Sequence, residues 1–158
     1  MCLVEFTNIK CTSPDLEHIS FEYCYLKSVN RTYKYLSLKG IMYKKPISNV
    51  KVTFALLKKF NGYKPFLYNI TVDACKSLRH PNANQVFAFF YGFYHSFSNL
   101  NHTCPYNHDV IVDKLPISHV DHQFSKLLVF PSGEYQFFTD WFIKGVNRAT
   151  VSVYFRLY

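Results

Sequence analysis

The chain has 158 residues, 49% of them hydrophobic and 19% aromatic, with 16 Phe and 13 Tyr, and a formal charge of +8. That length fits a single domain, 1–158, able to bury a core. The aromatic content excludes a disordered chain, and five glycines are too few for a loop-dominated scaffold. The basic residues are scattered (Lys27, Arg31, Lys44-Lys45, Lys58-Lys59, Arg79, Arg148, Arg156), so they read as a solvated surface, not a nucleic-acid footprint.

In chain order, residues 3–11 alternate apolar and polar and predict a first strand. Ser13-Pro14-Asp15 is a turn. Residues 20–28 predict a second strand, with Phe21, Tyr23 and Tyr25 on one face and Glu22, Cys24 and Leu26 on the other. Residues 32–43 predict a third, with a bulge or break at Gly40, and Pro46 interrupts it. Residues 50–60 predict a fourth, with Val50, Val52, Phe54 and Leu56 facing in. Asn61-Gly62 is a turn signal, because both residues tolerate positive φ. It leads into the most regular alternation of the chain, 66–75, with Phe66, Tyr68, Ile70, Val72 and Ala74 on one parity. A short loop between two alternating flanks predicts a hairpin.

Residues 76–103 break the period of two. Pro81-Asn82-Ala83-Asn84 reads as a helix entry, with Asn82 or Asn84 as N-cap. Val86, Phe89, Phe90, Phe93, Tyr94 and Phe97 then recur at helical spacing, which predicts an aromatic helical insertion over about 83–100, interrupted by Gly92. Such a helix packs a core or covers an apolar cavity; a buried strand is the third reading of the same run. Residues 108–114 predict a short strand, and the polar 117–123 stretch a loop. Residues 126–130 run to a turn at Pro131-Ser132-Gly133. Residues 134–144 and 149–157 alternate again around a turn at Gly145-Val146-Asn147. The inward parities are Tyr135, Phe137, Thr139, Trp141 and Ile143, then Ala149, Val151, Val153, Phe155 and Leu157. Many short strands with one helical excursion predict a mainly β, two-sheet antiparallel sandwich.

The five cysteines contain no C-x-x-C pair, so zinc-ribbon and thioredoxin readings lack their spacing. Two disulfides and a spare thiol are the simplest accounting; five free cysteines in a reducing compartment are the alternative. Four cysteines allow three pairings, and spacing does not choose between them. The pairing taken here is Cys11–Cys24 and Cys75–Cys104, with Cys2 spare. Three N-glycosylation sequons begin at Asn30, Asn69 and Asn101. Chance gives about 1.4. With the cysteines they predict an extracellular, secreted protein. No signal peptide is visible at the start, so a truncated start is expected. No apolar run of about 20 residues occurs, so no stable membrane insertion is expected.

Catalytic patterns are missing. There is no Gly-x-Ser-x-Gly elbow, P-loop, His-Glu-x-x-His or Gly-x-Gly-x-x-Gly. His119-x-x-His122 and the pair His102 and His108 around Cys104 read as surface histidines lacking further ligands. Glu134 and Asp140 have no evident partner. The expectation is no enzyme, no cofactor, no metal and no nucleic acid. The hydrophobic surplus is left, as a plain aromatic core or as the wall of an apolar pocket.

Phe6-Thr7-Asn8-Ile9-Lys10-Cys11, Phe21-Glu22-Tyr23-Cys24-Tyr25-Leu26-Lys27-Ser28-Val29-Asn30-Arg31, Asn61-Gly62-Tyr63-Lys64-Pro65-Phe66-Leu67-Tyr68, Asp73-Ala74-Cys75 and Cys104-Pro105-Tyr106-Asn107-His108-Asp109 occur in that order. As a set, over Val4 to Leu157, they resemble a large fly family of small secreted proteins catalogued as a domain of unknown function. That family is placed near the ML lipid-recognition superfamily, with its chemosensory B proteins and, more distantly, the ganglioside activator. The resemblance implies an immunoglobulin-like sandwich whose sheets part around a lipid or other apolar ligand. It implies disulfides and no catalytic residue.

Two functions are carried forward. One is a secreted, non-enzymatic binding protein for a lipid or other small apolar ligand, with a chemosensory role within its range. Its pocket candidates are Phe54, Leu56, Phe66, Tyr68, Ile70, Phe89, Phe93, Phe137, Trp141, Val151, Val153 and Phe155. The other is an extracellular interaction module with a solid core that meets a receptor protein. An internal cavity of several hundred Å³ favours the first, a packed core the second.

Overall fold

The computed structural model describes residues 4–124 and 131–158. Cys2, the first residue of the expected first strand and the expected segment 126–130 lie outside the described residues.

The described chain forms two antiparallel sheets. Its strands are β1 (Val4–Thr12), β2 (Ile19–Ser28), β3 (Lys34–Met42), β4 (Val50–Phe60), β5 (Gly62–Asp73), β6 (Val110–Pro116), β7 (Gly133–Ile143) and β8 (Val146–Leu157). One sheet has the order β1-β8-β7-β4-β5, the other β2-β3-β6. Three helices accompany them: α1 (Ala74–Ser77), α2 (Gln85–Gly92) and α3 (Ile117–Phe124). The predicted two-sheet β-sandwich is therefore the observed architecture. No helix among the described residues is long and apolar enough to cross a membrane.

The inward faces follow the alternation in β4, β7 and β8. Val50, Val52, Phe54 and Leu56 are all buried, as are Tyr135, Thr139, Ala149 and Phe155. The β4–β5 hairpin forms as predicted, with Phe60 opposite Gly62 and Gly62 at φ 84°. At the β7–β8 turn Lys144 and Gly145 both take positive φ, 52° and 79°. The reversal thus lies at Lys144-Gly145, not at 145–147. Paired positive φ values give the turn the twist of its flanking strands.

Bulges account for the errors of face. A register shift between Phe21 and Tyr23 sets Phe21 opposite Gly40 and Cys24 opposite Leu38. Phe21, Cys24 and Leu26 therefore share the inner face, and Tyr25 is 42% exposed on the outside. One extra residue inverts every side chain after it, which is why the expected grouping of Phe21 with Tyr23 and Tyr25 fails. Gly40 itself pairs in register with Phe21 and Val110, so it is not the bulge; the β3–β6 register shifts opposite Leu36 and Leu38, where β6 holds the extra residue.

The strand β5 ends at Asp73, two residues before the expected Cys75. The Asp73 carboxylate accepts from the Lys76 backbone N–H at 3.1 Å and starts α1. The insertion is helical but shorter than 83–100. Asn84 is the N-cap of α2, accepting from the Val86 and Phe87 backbone N–H groups at 3.1 Å each. The helix stops at Gly92, and one 3-10 turn, His95–Phe97, follows.

Residues 117–123 are not a loop. They form most of α3, whose Ile117 and Val120 are buried. This helix closes the C-terminal end of α2. Gln123 Nε2 donates to the Phe89 carbonyl at 2.9 Å, and His119 Nε2 lies 2.7 Å from the Gly92 carbonyl. The last carbonyls of a helix lack intrahelical partners, so these contacts fill a real vacancy. A Cβ on Gly92 would stand 2.4 Å from Gln123 Nε2. We predict that Gly92→Ala lowers unfolding free energy by about 1–2 kcal/mol, because displacing the buried Gln123 amide outweighs the helix-propensity gain. Urea unfolding monitored by circular dichroism measures it; a stabilised variant contradicts the account.

Candidate ligand cavity

A cavity of about 180 Å³ lies between the sheets. Its roof comes from the five-stranded sheet: Phe6 and Ile9 of β1, Leu56 of β4, Phe137 and Trp141 of β7, Val151, Val153 and Phe155 of β8. Its floor comes from the other sheet: Phe21, Leu38, Met42 and Val112. Phe87, Phe89, Phe90 and Phe93 of the insertion and Val120 and Phe124 at α3 supply the remaining wall. Among the described residues no Asp, Glu, Lys, Arg or His lines it.

The insertion is seated by an aromatic stack. Phe54 and Phe90 lie parallel with centroids 4.9 Å apart, and Phe90 and Phe137 parallel at 5.2 Å. Offset parallel rings are worth about 0.5–1.5 kcal/mol per pair beyond their burial. Phe87 meets Phe54 edge-on, and Phe93 meets Phe124 and Phe137. The base of the insertion is tied by the Cys75–Cys104 disulfide, with Cα atoms 5.3 Å apart. Cys11–Cys24 joins β1 to β2, the neighbouring edges of the two sheets. Both bonds are the expected pairs.

Eight of the twelve pocket candidates are on the wall: Leu56, Phe89, Phe93, Phe137, Trp141, Val151, Val153 and Phe155. Phe54, Phe66, Tyr68 and Ile70 face inward but are not on it. Phe54 is fully buried behind Phe90. Tyr68 packs on Phe89 and Phe90, and Phe66 on Tyr135. The cause is α2, which lies over the β4–β5 side and fills it. Two bulges in β5 keep these residues inward: Tyr68, at φ 57°, and Phe66 are each the extra residue of a register shift.

The floor was missed as a pocket wall. Its signal was present, since Leu36, Leu38, Gly40 and Met42 share one parity of β3. The α3 wall also had a signal, with Ile117, Val120 and Phe124 at helical spacing.

The polar groups outside the cavity have structural partners. His119 stacks edge-on against Phe97 while it meets Gly92. His102 and His108 approach through Nε2 at 2.8 Å, and Tyr106 donates to the His102 carbonyl. Glu134 pairs with Arg156 and Lys59, and Asp140 accepts from Thr150, so neither lacks a partner. Arg156 is the main cause that holds the Glu134 carboxyl below its usual range. Among the described residues no three His, Cys, Asp or Glu side chains are grouped to hold a metal ion. The sequon residues Asn30, Asn69 and Asn101 are exposed. The Asn30 carboxamide oxygen accepts from the Thr32 backbone and hydroxyl at 2.9 and 3.0 Å.

Truncating Phe90, which is 1% exposed and touches both Phe54 and Phe137, should destabilise by about 3–5 kcal/mol. Guanidinium unfolding of Phe90→Ala measures this; a loss below about 1 kcal/mol contradicts the stack as the seat of the insertion.

No curated protein matches the chain. The family model described as "Protein of unknown function (DUF1091)" matches residues 52–137, which run from β4 through the insertion and α3 into β7. That match covers more than half of the chain, including the cavity's wall from the insertion and α3 but only Leu56 and Phe137 of its roof, and the chain belongs to the DUF1091 family.

Proposed function

We propose that this protein is a secreted, non-enzymatic binding protein that carries or senses a small apolar ligand. The observation that supports the reading is the cavity: about 180 Å³ between two sheets, with no charged side chain among its described lining. A dry apolar cavity of roughly 150 Å³ is large enough to take up benzene. The volume here fits one molecule of roughly six to ten non-hydrogen atoms. It falls short of the several hundred Å³ expected above for a carrier, so what it supports is a compact ligand. A long lipid chain would therefore require the sheets to part further. Two disulfides are in keeping with an oxidising compartment. The resemblance to fly secreted proteins near the ML superfamily adds a chemosensory ligand to the reading.

Binding would come from burial, at roughly 25 cal/mol per Å² of apolar surface. Titration of the oxidised protein with p-xylene, followed by methyl NMR shifts, should show saturable binding with Kd between roughly 10 µM and 1 mM. The shifts should centre on Val151, Val153, Leu38 and Val112. Val151→Phe should fill the space and abolish them. No shift in folded protein up to the solubility of p-xylene sinks the carrier reading and favours the solid-core interaction module.

A further inference from the structure

Most polar groups on the cavity wall are already engaged. Trp141 Nε1 donates to Thr139 Oγ1 at 2.9 Å, and Thr139 Oγ1 donates to the Val151 carbonyl at 2.8 Å. Tyr106 Oη donates to the His102 carbonyl at 2.6 Å. Two phenols differ. Tyr91 and Tyr94 both line the cavity, with ring centroids 5.6 Å apart, and neither hydroxyl bonds to any described residue. Tyr91 is stacked on His95 with centroids 4.8 Å apart. Tyr94 is half-buried and lines the cavity.

A hydroxyl withdrawn from water without a partner costs free energy. Such a group is uncommon in folded proteins and calls for an explanation. Burial drives the Tyr94 hydroxyl far above the usual tyrosine range, with Tyr91 and Tyr106 adding to it. It is therefore a neutral O–H, able to donate one hydrogen bond. The cavity offers it no carboxylate or imidazole among the described residues.

We propose that Tyr94 determines the specificity of the cavity, donating a hydrogen bond to a neutral oxygen of the ligand. The preferred ligand class is a small apolar molecule with one ketone, aldehyde, ester or alcohol oxygen. Pure hydrocarbons leave the hydroxyl unpaired. Carboxylates bring a charge into a wall that has no described cation to meet it. The inference rests on the cavity being a ligand site, and its test separates the two.

The probes are acetophenone, its hydrocarbon isostere cumene, and benzoate, each titrated at pH 7 by NMR. Acetophenone and cumene should both bind wild type, and benzoate should not. Tyr94→Phe should weaken acetophenone roughly 3- to 10-fold and leave cumene within about 2-fold. Tyr106→Phe, whose hydroxyl is already used, should leave the ratio of the two affinities unchanged. Without ligand, Tyr94→Phe should be as stable as wild type or more so, since the lost group has no partner. An unchanged acetophenone affinity in Tyr94→Phe overturns the assignment, as does an equal loss for both probes. Benzoate binding as tightly as acetophenone overturns the preference for neutral oxygen. Failure of all three probes with folded wild type overturns the cavity as a ligand site, and this inference with it.

Discussion

The parallel contact of Phe90 with Phe54 on one side and Phe137 on the other is the constraint on which the interior depends. It seats an eight-residue helix against the inner face of the larger sheet. A helix that short is marginal alone, so packing and end contacts must hold it. Asn84 satisfies its first N–H groups, and Gln123 and His119 meet its last carbonyls. The Cys75–Cys104 bond closes a 29-residue separation around it. In the chain-entropy account a loop of that size is worth about 3–4 kcal/mol. Phe87 to Phe93 thus stand as fixed wall of the cavity between the sheets.

That arrangement divides the inner face of the larger sheet in two. On the β4–β5 side, Phe54, Tyr68 and Phe66 meet aromatic side chains and are ordinary core. On the β7–β8–β1 side, Phe137, Val151 and Phe6 meet the cavity. The same strands therefore supply both a packed core and a cavity wall. Part of the aromatic interior is packed core and part borders the cavity.

Much of this was legible in the chain. The period of two placed the inward faces of β4, β7 and β8, Asn61-Gly62 marked the hairpin, and Asn84 marked the start of α2. These features are local, and their cause lies within a few residues. What escaped was non-local. The bulge after Phe21 depends on pairing with β3, so parity along β2 alone gave the wrong face. That Phe54 and Tyr68 lie behind α2 depends on where the insertion docks, which no spacing encodes. The helix α3 was hidden by its polar composition, since only Ile117, Val120 and Phe124 mark its apolar side. Tyr94 stood in the helical stripe, but an unpaired hydroxyl is a property of its surroundings and not of its neighbours in sequence.

The cavity wall is almost wholly hydrocarbon, so it has little attraction for water and much for a compact apolar molecule. The central claim is that an apolar space of about 180 Å³ lies between the two sheets. A crystal structure under xenon pressure tests it most directly. The account predicts a xenon peak enclosed by Phe137 and Val151 on one side and Leu38 and Val112 on the other, with the surrounding side chains unmoved. A solid core at that position, with those four side chains in mutual contact and no xenon between them, would contradict it.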